Sequence, residues 1–73
     1  MRPSAERVRE LRESARLALC RVGEVKSLGA DEQEIAAAEQ AAGRAHVVAE
    51  LAALAHAGDP EAGRLLERHG PDR

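Results

Sequence analysis

Between Val8 and Val25 the apolar residues Val8, Leu11, Ala15, Ala18, Val22 and Val25 recur at alternating intervals of three and four, with Leu19 beside them. That spacing predicts a helix with one apolar seam, of the kind used by helices that cross at a shallow angle. Its opposite face carries Arg9, Glu13, Arg16, Cys20 and Glu24, with Arg12 alongside, while Leu17 and Leu28 stand off the seam. A second run is apolar over a wider arc: Ala37, Ala41, Ala45, Val48, Leu51, Ala52 and Ala55 share one face, widened by Val47 and Leu54 on one side and by Ile35 and Ala38 on the other. Only Glu32, Glu39, His46 and Glu50 fill the remaining strip. One facing helix would leave part of such an arc wet, so the second helix is expected to lie deep and to touch more than one neighbour. Leucine in place of Ala41 or Ala45 should then overpack the contact.

Capping residues set the boundaries. Ser4 suits an N-cap, with Pro3 before it and Glu6 in the first turn, and predicts a helix over about 5–28. Gly29 offers the left-handed residue that ends a helix, Ala30 is a spacer, and Asp31 restarts one with Glu34 three residues on, a capping box for a helix over about 32–57. Gly58 ends that helix, and Asp59-Pro60-Glu61 opens a short third one, about 60–69, which stops at Gly70-Pro71. Residues 1–73 thus predict a single all-α domain, an antiparallel two-helix hairpin plus a short C-terminal helix. There is no strand-like alternation, linker or internal repeat.

Composition changes this picture in one respect. Of 73 residues, 44% are hydrophobic, yet 16 are Ala, aromatic residues are absent, and the large aliphatic side chains are 14 Val, Leu and Ile. Alanine buries little area, so a lone chain has a meagre core and is expected to gain burial by self-association into a helical bundle, a dimer or higher homo-oligomer. The expected interface is the pair of apolar seams: Val8, Leu11, Ala15, Ala18, Leu19, Val22 and Val25 with Ala37, Ala41, Ala45, Val48, Leu51, Ala52 and Ala55. Charge favours pairing of the halves: residues 1–28 hold seven basic and four acidic groups, net +3, and residues 29–73 hold four and nine, net −5. Such asymmetry selects partner and orientation more than it stabilises.

Candidate chemistry is sparse. With no ring except histidine, the stacking mode of single-stranded nucleic-acid binding is disfavoured. Arg2, Arg9, Arg12 and Arg16 form a basic stripe suited to duplex phosphates, but Glu6, Glu10 and Glu13 interleave with it and the net charge is −2. His46 and Glu50, four apart, share a stripe with Glu39, which is ligand-like spacing, although the Glu-x-x-His pairs of bundle di-iron sites do not occur. A solvated charged face explains the same residues. His56 and His69 fall near helix C-termini, where imidazolium complements the dipole. Cys20 sits on a polar face with no base or oxyanion pocket in view and makes no internal disulfide. No phosphate loop or Ser-His-Asp arrangement is present, and no cofactor is expected. The charged start of the chain and the polar residues within 35–57 predict neither signal peptide nor membrane span, hence a cytoplasmic protein.

The turn Leu28-Gly29-Ala30-Asp31-Glu32-Gln33 resembles the hairpin turn of the repressor-of-primer (Rop) family, plasmid copy-number regulators of two helices that dimerise into a four-helix bundle. The likeness spans about six residues; chain length and the order of the two long helices agree with it. It implies binding of paired RNA stem-loops by the outward faces of the two first helices, at positions that here fall near Arg9, Glu13, Leu17 and Glu24. That family places amide, aromatic and lysine side chains there. None matches, and the third helix exceeds the family pattern, so the resemblance is architectural.

The sequence reading is therefore a non-enzymatic accessory or adaptor protein, regulatory in kind, that acts through self-association and protein–protein interaction. The alternatives are a Rop-like nucleic-acid-binding regulator using Arg9, Arg12 and Arg16, and a metal-binding bundle with Glu39, His46 and Glu50.

Overall fold

The computed structural model describes residues 2–69. Three helices follow in order, α1 (Ala5–Ser27), α2 (Glu32–His56) and α3 (Pro60–Arg68), and no strand occurs among the described residues. The predicted stop at Gly70-Pro71 lies outside them.

Each helix begins on the side chain that the sequence offers. Ser4 accepts the Arg7 N–H at 3.1 Å, Asp31 accepts the Glu34 N–H at 2.9 Å, and Asp59 Oδ1 accepts the N–H groups of Glu61 and Ala62 at 3.0 and 3.3 Å. Each bond satisfies a donor that no preceding turn can reach. Both long helices end alike. At α1 the Ala30 N–H reaches the Val25 carbonyl at 3.0 Å and the Gly29 N–H reaches Lys26 at 3.2 Å. At α2 Asp59 reaches Leu54 and Gly58 reaches Ala55, both at 3.0 Å. These are Schellman closures, which need a left-handed residue just past the cap; Gly29 (φ +78°) and Gly58 (φ +109°) supply it. Leu28, Ala57 and His69, expected as last helical residues, are the C-caps one step beyond the ends.

Helix α1 packs along α2, and α3 packs against α2 without touching α1. The second helix is thus the one that both others contact. The particle measures 42 × 21 × 19 Å, long in one direction because two helices of 23 and 25 residues lie side by side. Its core consists of Val8, Ala15, Val25, Ala42, Ala49, Ala52, Ala55 and Ala62, so alanine supplies six of the eight buried residues. No leucine is fully buried, and no polar or charged residue is buried among the described residues.

Polar contacts cross the hairpin at both of its ends. Near the turn, Lys26 Nζ lies 3.4 Å from Glu39 Oε2. At the open end the segment before α1 folds over the end of α2: the His56 imidazole, with its proton on Nδ1, donates to the Pro3 carbonyl at 2.9 Å, and Arg2 reaches the His56 carbonyl at 3.5 Å.

Candidate functional site

Packing of α1 on α2 uses the first seam and leaves an open groove beside it. Leu19 and Val22 from α1 and Glu39, Ala42, Gly43 and His46 from α2 line that groove. Its floor is the buried Ala42 and half-buried Val22, while Leu19, 58% exposed, forms a wall with no helix against it. On the other side of the same helix pair a smaller hollow is lined by Leu11, Ser14, Ala41, Arg44, Ala45 and Val48. Ala55, Gly58 and Gly63 share a third cleft with Arg2, where α3 meets α2.

The expected interface divides three ways in the single chain. Val8, Ala15, Val25, Ala52 and Ala55 are buried within the hairpin or against α3; Leu11, Ala18, Val22, Ala45, Val48 and Leu51 are half-buried; Leu19, Ala37 and Ala41 are exposed. Two buried residues of α2, Ala42 and Ala49, lie outside the face expected from the sequence. Alanine nearly encircles that helix, so its sequence marks no single direction as inward, whereas the polar back of α1 does. Leu17, Leu28, Val47, Leu54 and Leu65 are exposed as well. Leu17 and Leu28 fall off the seam as their spacing requires.

The charged groups are solvated. Glu13 and Arg16 form a two-pronged pair in which Arg16 Nε donates to Glu13 Oε1 at 3.2 Å and the terminal nitrogen Nη2 meets Oε2. Chiefly through this hydrogen bond the Glu13 carboxyl is held below its ordinary range and the Arg16 guanidinium above its own. Such a depressed carboxyl favours the fold at neutral pH and loses that contribution as pH falls through its titration; full exposure keeps the contribution small. Pairs Arg7–Glu10 (3.3 Å) and Arg21–Glu24 (3.9 Å) also lie along α1. Arg2 is drawn away from the basic stripe to the end of α2, and Arg16 is engaged by Glu13, which leaves Arg9 and Arg12 as the members without a partner among the described residues.

His46 and Glu39 meet at the groove, but among the described residues no group of three or more His, Cys, Asp or Glu is placed to hold a metal ion. Cys20 is an exposed free thiol beside Gly23, Glu24, Ser27 and Leu28. The chain matches no protein-family model, no curated protein and no solved structure. The likeness to the Rop turn therefore stands on its six residues alone. No described helix is long and apolar enough to cross a membrane.

One device escaped the sequence reading, the closure of the N-terminal segment over α2 through Pro3, Arg2 and His56. His56 was legible as a helix-end residue; nothing local in the sequence pairs it with residues more than fifty positions away.

Proposed function

We propose that the protein is a non-enzymatic helical interaction module that self-associates and then presents helical surface to a protein partner. The supporting observation is an apolar inventory left unspent. Six large aliphatic side chains, Leu17, Leu19, Leu28, Val47, Leu54 and Leu65, are exposed while the buried core is almost entirely alanine. Fully burying one such side chain contributes about 1.5–3 kcal/mol, so association still has apolar surface to gain beyond what the hairpin has used. The non-enzymatic reading is supported by solvation: the shifted groups, Glu13 and Arg16, are an exposed ion pair, and among the described residues no buried polar group offers the desolvated setting in which catalytic acids and nucleophiles are tuned.

Sedimentation velocity of the 73-residue chain, under reducing conditions to keep Cys20 a thiol, tests the reading. A boundary at two or more chain masses at micromolar concentration is the expected outcome. A single-chain boundary throughout that range would overturn it. Recording at 260 nm, where a chain without Phe, Tyr or Trp barely absorbs, shows at once whether nucleic acid travels with it.

A further inference from the structure

The groove between Leu19 and His46 is bordered by charges sorted by helix. On α1, Arg12 lies seven residues and Arg16 three residues before Leu19, which sets both on the Leu19 side of the helix. On α2, Glu39 precedes His46 by seven and Glu50 follows it by four, so the acidic groups border the opposite wall. Arg12 and Glu50 each lack a hydrogen-bond or ion-pair partner among the described residues. The levels are fixed too. With Leu19 and Val22 facing Gly43 and His46 across the groove, antiparallel counting sets Arg16 level with Glu50 and Arg12 about one turn beyond.

A second copy can close this groove face to face in two symmetric ways. If the two-fold axis lies across the helices at the groove, α1 meets α1 and α2 meets α2 with levels reversed, which sets Arg16 near Lys26 and Glu39 near Glu50 of the other copy, like charge against like. If the axis runs parallel to the helices, each α1 lies on the α2 of the other copy. That second arrangement preserves levels along the axis and brings Arg12 and Arg16 of each chain to Glu50 of the other. Like charges facing across an interface reject a partner, and opposite charges fix its register.

We infer that the groove is covered by a second copy of this chain, related by a two-fold axis parallel to the helices, with α1 on α2 in each direction. This rests on the self-association proposed above and specifies its geometry. Leu19 of each copy enters the groove beside Ala42 and Gly43 of the other, where the absence of side-chain bulk admits it: a Cβ built at Gly43 meets no atom within 4 Å.

The test is a charge swap read by sedimentation equilibrium, with far-UV circular dichroism to confirm that helicity is kept. R12E/R16E and E50K, each alone, should weaken the dimer about tenfold by turning attraction into repulsion at both symmetric contacts. The triple variant R12E/R16E/E50K should dimerise as the parent does and refuse to mix with it. In the crossed arrangement each swap alone would instead relieve repulsion and tighten the dimer, and that result would overturn the inference while leaving self-association standing. Leu19→Lys, at a side chain the hairpin does not need, should give a helical monomer; a dimer of parental strength would place the contact elsewhere. A parent chain that sediments as a monomer would remove both the geometry and the reading beneath it.

Discussion

Ala52 has no exposed surface at all and lies where α2 is enclosed, whereas Ala41, on the same helix, is exposed in the single chain. A larger side chain at the first has nowhere to go; at the second it meets solvent. Ala52→Leu should therefore cost about 1–3 kcal/mol, the usual penalty for extra methylenes in a filled site. Ala41→Leu should stay within about 0.5 kcal/mol of the parent when chains are dilute. Thermal melts of both variants at low micromolar concentration provide the comparison, and equal destabilisation would show that the packing around α2 is drawn wrongly. The sequence expectation that Ala41 and Ala45 mark the tight contact thus passes to Ala52 and its neighbours Ala42 and Ala49 for the single chain.

Helix ends and helix faces were not equally legible, and the reason is the range of the interactions involved. Ser4, Asp31 and Asp59 cap within three residues of themselves, and Gly29 and Gly58 close the helices before them, so start and stop signals are written locally. The expected return bond of the capping box, from the Asp31 N–H to the Glu34 carboxylate, is absent among the described residues, and the cap is the Asp31 side chain alone. Asp31→Ala should then remove the whole cap and lower stability by about 0.5–2 kcal/mol, measurable as a reduced urea midpoint at unchanged slope. Which way α2 faces is a different matter. Val8, Ala15 and Val25 could be read as inward because Arg9, Glu13 and Glu24 stand opposite them, but Ala42 and Ala49 differ from Ala37 and Ala41 in nothing except the position of α1. For the candidate groove, Leu19, Val22, Glu39 and His46 were visible as residues with a pattern; that they line one groove followed only from the way α1 packs along α2.

At the scale of the whole molecule the decisive quantity is burial per residue. A chain of this size exposes much of its surface even when folded, and here the buried side chains are two valines and six alanines. The half-buried ring of Leu11, Val22, Ile35, Val48, Leu51 and Leu66 marks surface that the hairpin has partly dried and that another helix layer would finish drying. Folding and association are then linked, since a second copy binds the folded hairpin and not the unfolded chain, and mass action carries that preference into the unfolding equilibrium. The midpoint of thermal unfolding should accordingly rise with chain concentration, by several degrees between about 2 and 200 μM, because each 1 kcal/mol gained by a domain of this length is worth roughly 4–8 °C. Leu19→Lys should abolish the dependence while its midpoint in dilute solution stays near that of the parent, since Leu19 is exposed in the lone hairpin. If the parent's midpoint were flat across this range, the alanine core and the α3 contact would suffice by themselves, and the exposed leucines would have to be accounted for by a partner other than a second copy.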